Sequence, residues 1–96
     1  MQLKIGNISA IELAKTYGTP LYVYDKSILL NKMKELKDSF PNSKICYAIK
    51  ANSNLDILKI IANGGFGADC SNAIELSYAK KAGFNLKNSL FTAVNP

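Results

Sequence analysis

Two side chains in this 96-residue chain stand where α/β proteins do chemistry: the amine of Lys50 and the carboxylate of Asp69. Lys50 follows the apolar run Ile45-Cys46-Tyr47-Ala48-Ile49 and precedes a polar loop, Asn52-Ser53-Asn54. If the run is a strand, Lys50 lies at its C-terminal end, the edge where α/β barrels carry their catalytic groups. Partial desolvation there would favour the neutral amine, which can condense with a carbonyl to give a Schiff base. Asp69 falls near the end of the next such run, Phe66-Gly67-Ala68-Asp69-Cys70. Neighbouring parallel strands lie about 4.8 Å apart, so the two side chains are expected to come within reach. The carboxylate could then pair with the amine or assist proton transfers around it. Residue types alone leave a second reading open, a structural ion pair with no catalytic role.

Composition narrows the chemistry further. The chain has no histidine, and Cys46 and Cys70 belong to no CxxC pair, so zinc sites and Cys–His nucleophile pairs are not expected. Each cysteine sits inside an apolar stretch and reads as a small core residue. The net charge of +5 comes from lysine alone. Bidentate recognition of phosphate or guanine calls on arginine, so no nucleic-acid partner is expected. Lys32, Lys34 and Lys37 alternate with Glu35 and Asp38, the pattern of a solvated helix face. No apolar run approaches the roughly 18–20 residues of a membrane span. The N-terminal Met1-Gln2-Leu3-Lys4-Ile5-Gly6-Asn7 lacks the form of a signal peptide, so a cytoplasmic location and no membrane partner are expected. Gly64-Gly65-Phe66-Gly67 lacks the strand-before, helix-after context of a phosphate-binding loop; it reads as a helix stop followed by tight packing.

The elements that must position Lys50 and Asp69 follow from periodicity. Ser9 and Glu12 form a capping box for a helix with Ala10, Leu13, Ala14 and Tyr17 on one face, stopped by Gly18 and Pro20. Leu21-Tyr22-Val23-Tyr24, ending at Asp25, predicts a short strand. Ser27 can cap a helix with the apolar stripe Leu29, Met33, Leu36 and Phe40, terminated by Pro41-Asn42. The run 45–49 predicts a strand covered on both faces. Asn54 caps a helix carrying Leu55, Leu58 and Ile61, which stops at Gly64-Gly65. Asn72 and Glu75 form a second capping box, for a helix with Ile74, Tyr78 and Ala82 that ends at Gly83. Ser89-Leu90-Phe91-Thr92-Ala93 predicts a further strand. Strands recur about every 22 residues with a helix between each pair, the pattern of a parallel sheet or an α/β barrel.

The order and spacing of three segments carry a resemblance. Thr19-Pro20-Leu21-Tyr22-Val23-Tyr24-Asp25, then Tyr47-Ala48-Ile49-Lys50-Ala51-Asn52-Ser53-Asn54, then Gly67-Ala68-Asp69-Cys70-Ser71 with Glu75-Leu76, resemble the start of the diaminopimelate decarboxylase family. These are pyridoxal 5′-phosphate (PLP) enzymes of the alanine-racemase-like fold. The resemblance covers essentially the whole chain, and Tyr-Ala-x-Lys-Ala-Asn-Ser-Asn is its most specific part. It implies that Lys50 is the PLP-binding lysine, that Ala48 packs beside the cofactor ring, and that Asp69 is the acidic residue near the Schiff base. The family's Ser-x-Gly-Glu-Leu is replaced here by Ser71-Asn72-Ala73-Ile74-Glu75-Leu76, so the glycine-rich helix entry is missing.

The fold implied is α/β, the start of a (β/α)8 TIM-type barrel with about three of the eight strands. Residues 1–25 would belong with a C-terminal β-domain, and residues 26–96 would be a partial PLP-binding barrel. The activity implied is decarboxylation of meso-2,6-diaminopimelate to L-lysine in lysine biosynthesis, by a homodimer with shared active sites. The chain is expected to be an N-terminal segment, inactive alone. Other PLP decarboxylases of this fold, acting on ornithine, arginine or carboxynorspermidine, and a non-catalytic PLP-binding relative remain alternatives.

Overall fold

The computed structural model describes residues 3–92. Met1 and Gln2, at the head of the N-terminal run, and Ala93, last in the expected third strand, lie outside the described residues. The chain forms two compact units, Met1–Glu35 and Leu36–Pro96, divided within one helix.

The first unit opens with a hairpin that the sequence reading does not anticipate. Strand β1 (Lys4–Ile5) pairs antiparallel with β2 (Ile8–Ser9), and Gly6 takes φ +61° in the tight turn between them, a conformation glycine adopts without steric cost. Helix α1 (Ala10–Tyr17) starts as expected: Ser9 is its N-cap, and its hydroxyl accepts from the Glu12 N–H at 3.3 Å. Leu21–Tyr24 is not a strand. Its residues are strand formers by type, but among the described residues they belong to no sheet, and Tyr22 is 90% exposed. Helix α2 (Lys26–Ser39) is capped by Asp25 rather than Ser27. Asp25 Oδ1 accepts from the Ser27 N–H and Oγ–H at 2.9 and 2.7 Å, and its Oδ2 accepts from the Gly6 N–H at 3.0 Å. Of the expected apolar stripe only Met33 is buried, and Phe40 is 55% exposed.

The second unit is the β/α repeat. Strands β3 (Cys46–Ala48), β4 (Gly67–Cys70) and β5 (Leu90–Phe91) form a parallel sheet in that order. Helix α3 (Leu55–Asn63) links β3 to β4, and α4 (Ala73–Ala82) links β4 to β5. The α/β fold class therefore stands, with three parallel strands in sequence order. Caps set the helix starts: Asn54 Oδ1 accepts from the Asp56 and Ile57 N–H groups, and Asn72 Oδ1 from the Glu75 N–H. Gly83, in the left-handed region at φ +92°, ends α4.

Ala68 and Cys70 on β4 are fully buried, as are Leu58 of α3 and Ala79 of α4. Helix α4 packs on β4 and α3 packs beside it, so helices cover the Ala68–Cys70 face of the sheet. The run 45–49 was expected to be covered on both faces. Cys46, Tyr47 and Ala48 are instead all half-buried, because the helices lie on one side. Helix α4 buries Ala82 of its expected stripe but not Ile74 or Tyr78, and adds Ala79. Ala79 and Ala82 are buried while Ile74 is 64% exposed. Small side chains let the helix approach its neighbours closely, which places the larger ones outside. Cys70 is a core residue as expected, but Cys46 is only half-buried, with Sγ 3.4 Å from the Asn88 carbonyl.

Candidate active site at the C-terminal edge of the parallel sheet

Lys50 does not lie on the strand. Strand β3 ends at Ala48, and Ile49–Ala51 form one turn of 3₁₀ helix. Ile49 is fully buried and anchors this turn, leaving Lys50 exposed. Two further bonds shape the connection. The Tyr47 hydroxyl donates to the Asn52 carbonyl at 3.0 Å, and the Asn54 N–H donates to Asn52 Oδ1 at 3.0 Å. The partial desolvation expected of Lys50 is therefore not present: the buried neighbour is Ile49, and the amine stands in solvent.

Ala48 and Asp69 do come together. They are direct partners in the parallel register, and Asp69 is in turn the partner of Leu90 on β5. Side chains alternate along a strand, so Asp69 points away from the face that buries Ala68 and Cys70. Ala48, Asp69 and Leu90 thus form one row across the sheet on the side without helices. The row is open: Ala48 and Asp69 are half-buried and Leu90 is 56% exposed.

Lys50 and Asp69 form no ion pair; among the described residues the carboxylate's bonding partner is different. Thr92, two residues past Leu90, donates its hydroxyl to Asp69 Oδ1 at 2.6 Å. Its own N–H donates to the Cys70 carbonyl at 2.9 Å, continuing the ladder between β4 and β5. The sequence reading places Thr92 only inside a strand and assigns it no role. Its alternation with Leu90 was the available signal, but which carboxylate it meets depends on the register.

The loop after β4 is also held firmly. Glu75 Oε1 accepts from both the N–H and the hydroxyl of Ser71 at 2.8 Å each. The capping box read in the sequence is therefore shifted: Asn72 supplies the forward bond, but Glu75 reaches back to Ser71. Here the loop is tied down by a carboxylate from the first turn of α4. Burial pushes the Cys70 thiol pKa up, and the Glu75 and Asp69 carboxylates add to the effect. That keeps the thiol protonated and removes it as a nucleophile.

At the opposite end of the sheet, a cavity of about 140 Å³ is lined by residues that include Lys37, Lys44, Phe66 and Gly67. The Lys37 ammonium donates to the Gly64 carbonyl and stands 5.4 Å from the centre of the Phe66 ring. It is thus engaged in holding the α3–β4 connection. Among the described residues no helix is long and apolar enough to cross a membrane, and no cluster of His, Cys, Asp and Glu could hold a metal ion.

Residues 26–95 match the family described as pyridoxal-dependent decarboxylase, pyridoxal binding domain. The chain is 40% identical over 93 residues to a diaminopimelate decarboxylase of Aquifex aeolicus, covering 97% of this chain and 22% of that protein. It is 45% identical over 85 residues to one from Helicobacter pylori strain J99, covering 86% of this chain and 21% of that protein. The chain thus spans about a fifth of the length of the curated relatives it matches. A crystal structure of an Aquifex aeolicus protein superimposes with a TM-score of 0.95 at 39% identity, over 99% of this chain and 24% of that one. A crystal structure of Helicobacter pylori diaminopimelate decarboxylase complexed with L-lysine gives a TM-score of 0.82 at 40% identity, over 88% of this chain and 22% of that one.

Proposed function

The chain belongs to the pyridoxal-dependent decarboxylases, as part of their pyridoxal-binding domain, and from that premise we propose that it is the cofactor-holding N-terminal part of a diaminopimelate decarboxylase. The observation that carries the reading is the exposed amine of Lys50, one turn beyond the strand whose last residue, Ala48, stands opposite Asp69. The substrate reading rests on similarity to named diaminopimelate decarboxylases over nearly the whole chain. The reaction would convert meso-2,6-diaminopimelate to L-lysine and carbon dioxide, in the cytoplasm, within a homodimer that shares its active sites.

The residues present fit pyridoxal phosphate. Lys50 offers an accessible primary amine, the kind of nucleophile that condenses with the cofactor aldehyde. The Ala48 methyl group leaves the sheet surface beside it open to a flat ring. Asp69 offers a carboxylate on the same row, with Oδ1 fixed by Thr92. When bound, the cofactor supplies the electron sink for the pair left behind when an amino acid's α-carboxylate departs. Lys50 would hold it covalently and release it to substrate. Asp69 would hold a negative charge near that linkage and steady its proton.

The domain reading is part of the same proposal: residues 1–25 belong with a C-terminal β-domain, and residues 26–96 open a β/α barrel. The family match beginning at residue 26 supports that division. Because the chain spans 22% of the length of its Aquifex relative, the role proposed for these residues is cofactor holding, and the chain alone is not expected to decarboxylate. The test is to add pyridoxal phosphate to the chain and reduce it with borohydride. A stable adduct mapped to Lys50 by mass spectrometry is the expected result; an adduct spread over the other lysines, or none, would overturn the reading.

A further inference from the structure

We infer that Thr92 is a positioning residue for Asp69: its hydroxyl fixes the carboxylate through Oδ1 and leaves Oδ2 as the oxygen offered to whatever binds on the open face. The inference rests on the proposed roles of Lys50 and Asp69, and it adds a residue to them.

Asp69 lies in mid-sheet, paired with Ala48 on one side and Leu90 on the other. Neither partner carries a polar side chain, so nothing in its own row can hold the carboxylate. Lys50 forms no ion pair with it. The only hydrogen bond to the Asp69 side chain among the described residues is the one from Thr92, at 2.6 Å. That length is typical of a hydroxyl donating to an ionised carboxylate, a class of bond roughly twice as strong as a neutral one.

Thr92 is itself well placed to hold a direction. Its N–H is committed to the Cys70 carbonyl at 2.9 Å, so the backbone beneath its side chain is fixed to β4. Threonine is branched at Cβ and stiff at χ1. A donor on a fixed backbone with a restricted rotor selects one rotamer of the acceptor. Lacking that bond, a half-buried aspartate on an open sheet face can sample several rotamers. Its charge would then not be aimed.

The test uses the full chain with Thr92→Val, which keeps the branched shape and removes the donor, and Thr92→Ser, which keeps the donor. The first readout needs no cofactor. Three-bond couplings should show one χ1 rotamer for Asp69 in the parent and in T92S, and averaged rotamers in T92V. The second is the affinity for pyridoxal phosphate, read from the visible absorbance of the lysine-bound form. T92V should bind roughly five- to tenfold more weakly, the value of one hydrogen bond, with T92S close to the parent. The urea midpoint of T92V should fall by no more than the loss of one hydrogen bond, with T92S at the parent value, separating aim from general unfolding. An Asp69 rotamer equally fixed in T92V overturns the inference. If K50A retains the absorbance, the reading of Lys50 fails, and the rotamer measurement still decides Thr92.

Discussion

Tyr47 donates its phenolic hydrogen to the backbone carbonyl of Asn52 at 3.0 Å, bridging the turn that carries Lys50. The bond spans five residues, from the middle of β3 to the residue just past the 3₁₀ turn. With Ile49 buried beneath and the Asn54 N–H bonded to Asn52 Oδ1, the turn is held at three points while Lys50 itself remains exposed. Removing the hydroxyl with Tyr47→Phe leaves the ring and frees a part-buried carbonyl. A loss of about 1 kcal/mol is expected from urea unfolding, together with faster amide exchange at Ala51 and Asn52. Unchanged exchange there would show that Ile49 alone holds the turn.

On the proposed reading Lys50 serves the cofactor, and its exposure leaves it little part in the fold. It makes no ion pair with Asp69 and stands in solvent, so Lys50→Ala should change stability by no more than about 0.5 kcal/mol. The same substitution should abolish the visible absorbance that pyridoxal phosphate gives with the parent chain. The two measurements on one variant separate a cofactor amine from a structural one. A large fall in stability would assign Lys50 to the fold instead.

Much of this architecture is legible in the sequence, for reasons that particular residues make plain. Ser9, Asn54 and Asn72 announce their helices because a short side-chain acceptor followed by an apolar period has few other uses. The placing of Lys50 just past β3 and of Asp69 near the end of β4 follows from the apolar runs around them. Features that depend on pairing are not legible. Leu21–Tyr24 has strand composition, yet composition cannot supply the neighbour that a strand needs. The Lys4–Ser9 hairpin rests on a Gly6-Asn7 turn between short runs, a signal that is present but slight. The inward face of α4 is only partly legible, because large apolar residues such as Ile74 draw attention, whereas close packing selects Ala79 beside the expected Ala82. The Thr92–Asp69 bond depends on the β4–β5 register, which a single sequence does not display.

Gly67 is required by a close approach. A Cβ built at this position would overlap the Asn88 carbonyl oxygen and lie 3.0 Å from Cys46 Sγ. The obstacle is backbone, not the tip of a mobile side chain, so it cannot swing aside. Gly67 is also the first residue of β4, paired with Cys46, and any shift there is transmitted to the Ala48–Asp69 row. Gly67→Ala is expected to cost about 1–3 kcal/mol, the range for forced overpacking, measured by urea unfolding. Broadened resonances at Ala48 and Asp69 should accompany it. A variant as stable as the parent would show that the Asn88 segment can move away freely.

The capping carboxylate of Asp25 makes the first unit sensitive to acid. The Ser27 hydroxyl, followed by the N–H groups of Ser27, Ile28 and Gly6, holds its pKa below the ordinary 3.8. A carboxyl depressed in the folded state stabilises above its unfolded pKa, and that stabilisation is lost as pH falls through the lower folded value. The start of α2 and the β1–β2 turn should therefore loosen together below pH 3.8, because one carboxylate serves both: Oδ1 caps the helix and Oδ2 receives Gly6. Asparagine has a single carbonyl oxygen, so Asp25→Asn can keep the cap or the turn contact but not both. The cap is the stronger demand, with two N–H groups and a hydroxyl converging on one oxygen. In the variant, the Ser27 and Ile28 amide resonances should stay in place through an acid titration, while Gly6 is already displaced at neutral pH. Gly6 and Ser27 titrating independently in the parent would show that the shared carboxylate is not what couples them.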